Sequence, residues 1–436
     1  MNMDLKAALS AYRERVADMT ESIDRGIKEN RSSSLRIHLR DTEGKPIRDA
    51  RLRLVQKTSD FDFGCNALQL GQLGERNTAY EQAFAHLFNT ATTTACWAVT
   101  ETREGMFRFA EADGDMNRRP PMDRVVAFCK KNGLKAKCQP LMADSWFPEW
   151  ASHHAEEAKA QWRRFVSVVA ERYSGTVDIW DVVNESLLCK GRSPDFPLLD
   201  DDLSYVDWSF ETAAQLFPPR HGVFELNDGT QVNCGEDAQT YYRLAKRLKD
   251  KQLPLDSVGF QFHIFTGELA ARHLQNQHLP PDELLKTYAM FGQLGVPLSI
   301  TEITIPSRIP GLEGDEGEAV QAEIGRNLYR LWFAQPDIHS IIYWNFMDGV
   351  HWGNEGDCRG CLLDEQLREK PIYQALYQLI QRQWRTTELL RSGEDGGCEC
   401  RAFHGGYELT VDSRTAHRSV ALAVHAGEKN DVTIIL

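Results

Sequence analysis

Between residues 65 and 384 short apolar runs alternate with longer stretches of helical periodicity, and this rhythm limits what the chain can fold into more than any other feature. Candidate strands fall at 63–68, 92–99, 134–143, 177–183, 223–227, 257–264, 298–304 and 340–346. Helical patterns at 151–173, 238–250, 281–294 and 319–334 fill gaps between them. Strands that alternate with helices return in parallel, so the pattern predicts a parallel sheet covered by helices. Eight such strands are what a (β/α)8 barrel needs, and about 250 residues suffice for one. The expected fold is therefore α/β, a TIM barrel over 65–384.

Both ends of the chain follow a different period. Residues 33–64 alternate apolar and polar side chains around Glu43-Gly44-Lys45-Pro46, a hairpin signature that predicts two or three strands. Residues 401–436 alternate in the same way at 407–411, 420–424 and 432–436. Neither fragment alone can bury a sheet face, so the two are expected to combine into one small β-sandwich. Residues 1–32 read as an amphipathic helix with Leu5, Leu9, Tyr12 and Val16 on one face. The expected organisation is thus helix 1–32, sandwich strands 33–64, barrel 65–384, and 385–436 completing the sandwich.

Composition excludes several function classes. With 63 acidic against 50 basic residues the net charge is -13, which argues against nucleic acid as a partner and favours an uncharged or weakly charged substrate. No long uncharged apolar run suits a membrane span, and the N-terminus has no apolar signal core, so a cytoplasmic protein is expected. The ten cysteines then read as reduced and mostly buried, Cys358 and Cys361 in C-R-G-C included. No second C-x-x-C completes a zinc site, the adjacent pair His153-His154 opens a polar helix, and no Gly-rich phosphate loop is present. Neither metal nor cofactor is expected.

Two candidate strands end in a carboxylate: 177–183 runs into Asn184-Glu185, and 298–304 carries Glu302. In a barrel the C-terminal strand ends face the active site, so residues far apart in sequence can meet there. Two carboxyls about 5 Å apart across a glycosidic bond support double displacement with retention, whereas roughly 6.5–9.5 Å admits a water and gives inversion. A structural ion-pair role is the competing reading for a lone strand-end Glu.

The residues around the pair resemble one family. W-D-V-V-N-E at 180–185 resembles the acid/base motif of glycoside hydrolase family 10, the xylanase family, and I-T-E at 300–302 its nucleophile motif. Gln261-Phe262-His263 looks like the family's Q-S-H; Trp344, Asp348 and Trp352 fit its W-x-x-x-D-x-x-x-W; Leu362-Leu363-Asp364 with Lys370-Pro371 matches its L-x-D and K-P. The window 133–150 aligns without a gap to the family's third-strand segment. The resemblance covers the central domain and implies a retaining β-glycoside hydrolase with Glu185 as acid/base and Glu302 as nucleophile. It implies a carbohydrate or glycoside as substrate, with Asn184 on the sugar 2-hydroxyl and Gln139, Asp144, Trp146, Gln261, His263, Trp344 and Trp352 lining the site. Asp348 is expected to hold the loop after strand eight.

The pattern breaks where the family binds the non-reducing side of its sugar chain. Thr92, Thr93 and Cys96 stand where the family has Glu, Asn and Lys anchors. Gln139 and Asp144 replace two histidines, Ala143 and Trp146 replace a Trp and a Gln, and Thr304 replaces an Asp after the nucleophile. These departures imply a β-linked xylo- or gluco-configured oligosaccharide or glycoside other than ordinary xylan. A catalytically inactive carbohydrate-binding barrel is the alternative, and it would predict a decayed catalytic pair.

Overall fold

The computed structural model describes residues 5–436 except 111, 112, 115, 219–221, 313, 352 and 415. It comprises two compact units, Met1–Tyr12 with Phe63–Ala322 and Asp337–Tyr373, and Arg13–Asp62 with Glu323–Pro336 and Gln374–Leu436. In chain order the strands are β1 Ser32–Arg40, β2 Arg51–Gln56, β3 Asp62–Asn66, β4 Thr90–Thr94, β5 Glu101–Arg103, β6 Met106–Phe107, β7 Lys135–Gln139, β8 Ile179–Asn184 and β9 Val223–Asp228. They continue as β10 Ser257–His263, β11 Leu298–Thr304, β12 Ile338–Tyr343, β13 Thr387–Arg391, β14 Gly397–Phe403, β15 Gly405–Asp412, β16 His417–Val424 and β17 Asp431–Ile435.

The first unit is the expected barrel. Strands β3, β4, β7, β8, β9, β10, β11 and β12 close into a ring in which each neighbour is also the next in sequence. Every residue of β4, β8, β10 and β11 is buried, as in a sheet covered on both faces. The helices are amphipathic: Gly235–Asp250 buries Ala238, Tyr241, Leu244, Ala245 and Leu248 at helical spacing. That helix opens with Glu236 and Asp237 and closes with Arg247 and Lys249, charges that complement its dipole. Gly133, at φ 65°, ends the helix Met122–Asn132 in the left-handed conformation and returns the chain to β7.

Two barrel strands are shorter than their patterns predict. β4 stops at Thr94 because its partner β7 offers five residues, Lys135 to Gln139, in register with Thr90 to Thr94. Beyond it Trp97–Thr100 is helical despite its aromatic and β-branched residues. β7 in turn ends before Pro140, which has no N–H to give to a ladder.

The barrel interior begins with a charged floor. Lys137 Nζ lies 2.5 Å from Asp181 Oδ1 and also bonds Glu225 Oε1, and all three side chains are buried. Ser257 Oγ donates to Glu225 Oε2 at 2.7 Å. Burial pushes Asp181 well above the carboxylate range while Lys137 and its other donors hold Glu225 below it. One ammonium therefore serves two carboxylates, which titrate as a coupled pair.

The second unit is a sandwich of a three-stranded sheet, β14-β1-β17, and a four-stranded sheet, β13-β2-β15-β16. Leu35, Ile37 and Leu39 of β1 share one buried layer with Leu52 and Leu54 of β2 and with Tyr407, Leu409 and Val411 of β15. The turn at Gly44 is present, with Ile47 N donating to Leu39 O at 3.1 Å, but the expected hairpin is not. After one bridge between Arg40 and Pro46 the chain turns through Asp49, at φ 59°, and β2 joins the opposite sheet. Each strand thereby sends its apolar side into the common layer. β13 and β14 escaped the sequence pattern because β13 is almost wholly exposed and β14 carries Gly, Cys and charges in place of an apolar alternation. Residues 374–384, expected within the barrel, cluster with the sandwich unit.

Candidate active site

Glu185 and Glu302 come together at the C-terminal strand ends of the barrel. Gln261 Nε2 donates to Glu302 Oε1 at 2.9 Å and to Glu185 Oε1 at 3.0 Å. One nitrogen shared at those distances keeps the two oxygens closer than the ~6.5–9.5 Å separation of inverting pairs. The strands carrying these residues are irregular at this level. Register shifts occur between Asp181 and Val183, between Phe260 and Gln261, and between Ile300 and Ile303. Such bulges re-aim side chains beside active sites.

Each glutamate has a different setting. Glu302 is buried, and its Oε1 accepts from Gln139, from Asn227 Nδ2 at 2.9 Å and from Gln261. Its Oε2 lies 3.2 Å from His263 Nε2, and His263 Nδ1 lies 2.9 Å from Thr304 Oγ1. Thr304, at the position of the family's Asp, thus orients the histidine, and Phe265 stacks on the same ring at 4.3 Å. Burial raises the Glu302 pKa, with Glu185 adding to it, against the hydrogen bonds of His263 and Gln139.

Glu185 follows β8 at φ 57°, a conformation rarely held by a residue with a side chain. Its backbone N–H donates to Asn227 O at 3.0 Å. The turn is clamped by Asp228, whose Oδ2 accepts from Ser186 Oγ at 2.9 Å and Leu187 N at 3.0 Å. Burial pushes Asp228 up to about 6 despite these donors. Arg192 bonds Glu185 Oε2, and holds Asp144 with Nε at 2.9 Å and Nη2 at 2.5 Å.

Of the other expected site residues, Asn184 Oδ1 accepts from Asn227 at 2.9 Å and Gln261 at 3.3 Å. Asp144 accepts from Arg192 and from Ser193 Oγ at 2.6 Å, contacts that hold the Arg192 guanidinium in place. Trp146 lies under the Arg119 guanidinium, 4.7 Å from its ring centre. Trp344 stands edge-on to His263 at 5.7 Å and donates Nε1 to Glu355 at 2.9 Å. Trp352 lies outside the described residues. Asp348 bonds Lys370 Nζ at 3.2 Å and Cys361 N at 3.3 Å, holding the loop after β12. Cys358 and Cys361 are buried and their thiols pushed up, Cys358 to about 11, which suits packing. Among the described residues no group of His, Cys, Asp or Glu is arranged for a metal, and no helix is long and apolar enough to cross a membrane.

Sequence reasoning missed Asn227, Asp228 and Arg192. Asn227 and Asp228 carried a usable signal, since the fifth strand also ends in adjacent polar residues. Arg192 had none, because it comes from a helix that begins after the motif.

Comparison with known proteins places this geometry in a family. The model of "Glycosyl hydrolase family 10" matches residues 52–379. An endo-1,4-beta-xylanase A of Humicola insolens is 26% identical over 301 residues, 67% of this chain and 73% of that protein. An endo-1,4-beta-xylanase B of Thermotoga neapolitana is 24% identical over 270 residues, covering 60% and 74%. Among solved structures, native xylanase 10B from Thermotoga maritima shares the fold with a TM-score of 0.59 at 21% identity over 74% of this chain and 96% of that one. A match across three quarters of the sequence, on a barrel with paired carboxylates at its mouth, makes this chain a member of glycosyl hydrolase family 10.

Proposed function

We propose that the protein hydrolyses a β-linked oligosaccharide or glycoside by double displacement, with Glu302 as nucleophile and Glu185 as acid/base. The observation that carries this reading is the single Gln261 amide hydrogen-bonded to both carboxylates, a spacing suited to retention. Glu302 attacks the anomeric carbon while Glu185 gives its proton to the departing oxygen. Glu185, now a carboxylate, then takes a proton from water as that water attacks the glycosyl-enzyme. His263, Gln139, Asn227 and Gln261 hold Glu302 aimed at one point. Asn184, anchored through its oxygen, offers its amide nitrogen to the sugar 2-hydroxyl.

Arg192, held by Asp144 and paired with Glu185 Oε2, positions the carboxyl that passes the proton in both half-reactions. The intact pair and its donors speak against an inactive carbohydrate-binding barrel. The relatives named above are endo-1,4-β-xylanases, whereas this chain has Thr92, Thr93 and Cys96 where the family's glycone anchors stand. That difference supports a xylo- or gluco-configured β-glycoside other than plain xylan. The net charge of -13 supports a carbohydrate over a nucleic acid.

Two measurements test the reading. Glu302→Ala should lower turnover by ~10⁴-fold or more, beyond what loss of one acid–base group gives; activity within tenfold of the parent removes the mechanism. Initial rates on xylan, xylo-oligosaccharides and aryl β-glycosides test the substrate, and xylan as much the best of them overturns the assignment.

A further inference from the structure

The barrel mouth also holds cations that the reaction as described does not use. Arg118 and Arg119 lie on the segment before helix Met122–Asn132 and are 1% and 7% exposed. Arg118 Nη2 donates to Asn345 Oδ1 at 2.8 Å and pairs with Glu355 Oε2 at 2.8 Å. Since Glu355 also accepts from Trp344, Arg118 stands at the end of β12. Arg119 lies over Trp146, donates Nη1 to Arg118 O at 2.7 Å, and reaches Cys96, whose thiol feels both Arg119 and Glu302. Cys96 in turn contacts Gln139 O, and Gln139 bonds Glu302.

This cradle has more donors than partners. Among the described residues Arg118 Nε and Nη1 and Arg119 Nε find no hydrogen-bond partner, although all three are buried. Nearby strand ends contribute the same imbalance: the side-chain amide of Asn66 and the hydroxyls of Thr92, Thr93 and Thr94 are buried without a partner. Buried polar groups are almost always satisfied, so a group of exceptions beside the catalytic pair calls for an explanation, and a bound anion supplies one. The two guanidiniums feel each other's charge, and among the described residues Glu355 forms an ion pair with Arg118 only. Burial, with the Arg119 charge added, lowers the Arg118 pKa in spite of Glu355. A planar fork of N–H groups fits a carboxylate in two-point contact. The chain as a whole is strongly acidic, so recognition of an anion here must be local and would favour one charge over a polyanion.

We propose that Arg118 and Arg119 bind a carboxylate on the sugar to the non-reducing side of the cleaved bond, making the substrate a uronate-bearing glycoside. The location follows from Thr92, Thr93 and Cys96, which stand where the family's neutral-sugar anchors are absent on the glycone side. This assignment rests on the catalytic reading above and narrows its substrate.

The test uses the full chain on matched substrates. These are 4-nitrophenyl β-glucoside, β-glucuronide and 6-phospho-β-glucoside, and a neutral xylo-oligosaccharide beside its glucuronate-bearing counterpart. The acidic member of a pair should exceed the neutral one in kcat/KM by ~10-fold or more, the scale of a charge-assisted hydrogen bond. Arg119→Met should bring that ratio close to one, a ~10-fold loss on the same basis, and Arg119→Lys should restore part of it. KM for the acidic substrate of the unaltered enzyme should also rise with salt, a readout independent of how the variants fold. Neutral substrates cleaved as well as acidic ones would overturn the proposal and leave the catalytic reading standing. A preference for the phosphate over the uronate would overturn the carboxylate assignment. No hydrolysis of any of them, with no label on Glu302 from a fluoro-glycoside, would overturn the catalytic reading and this one together.

Discussion

The floor and the mouth of the barrel both bury charge, and they treat it in opposite ways. At the floor Lys137, Asp181 and Glu225 close on one another, with Ser257 completing the set. At the mouth Arg118 Nε and Nη1, Arg119 Nε and the hydroxyl of Thr94, level with Gln139, find no partner among the described residues. Both layers stand on the same strands: Lys137 and Gln139 are two residues apart on β7, and Glu225 and Asn227 two apart on β9. A strand with period two can therefore serve stability at one level and chemistry at the next. A cation closed on two carboxylates marks the first, and guanidinium nitrogens left without a partner mark the second.

The contrast breaks most sharply if the floor is opened. Lys137→Met leaves two buried carboxylates without their cation and should cost ~3–5 kcal/mol, the scale for removing one partner of a buried pair. Urea denaturation measures it, and a loss below about 1 kcal/mol would mean that the floor does not hold the barrel. Next comes Asp228, raised to about 6 beneath the Glu185 turn. Its pKa in the folded chain is above that of an unfolded Asp, so its contribution is present below about pH 4 and is lost as pH rises through about 6. The stability margin of the parent over Asp228→Asn should shrink by ~2–3 kcal/mol across that window. A margin that is constant or grows with pH would contradict the assignment. The smallest effect has the opposite sign. Thr94 is in register with Gln139 and its hydroxyl is orphaned, so Thr94→Val should stabilise the fold by ~1 kcal/mol while lowering kcat/KM. Loss of stability would show that the hydroxyl serves the fold and not the ligand.

Much of this was legible in the sequence, for physical reasons that differ by region. The eight barrel strands were readable because each is a short apolar run bounded by helical patterns, and the glutamates because each sits at a strand end. The sandwich was readable only where side chains alternate: β15 shows its buried face, whereas β13 and β14 have no apolar period to detect. The crossing of β2 to the other sheet was hidden, because a tight turn at Gly44 looks the same whether the next strand pairs or leaves. At the site, Glu185 and Glu302 announced themselves through continuous motifs. Arg192, Arg118 and Arg119 did not, since each arrives from a connection whose path no periodicity fixes.

The central claim is that Glu302 bonds covalently to the sugar. Incubating the enzyme with a 2-deoxy-2-fluoro β-glycoside bearing a good leaving group, followed by proteolysis and mass spectrometry, tests it directly. One glycosyl unit per chain is expected, attached to Glu302 in the peptide spanning β11. A label on Glu185 or another residue, or hydrolysis with inverted configuration and no label, would contradict it.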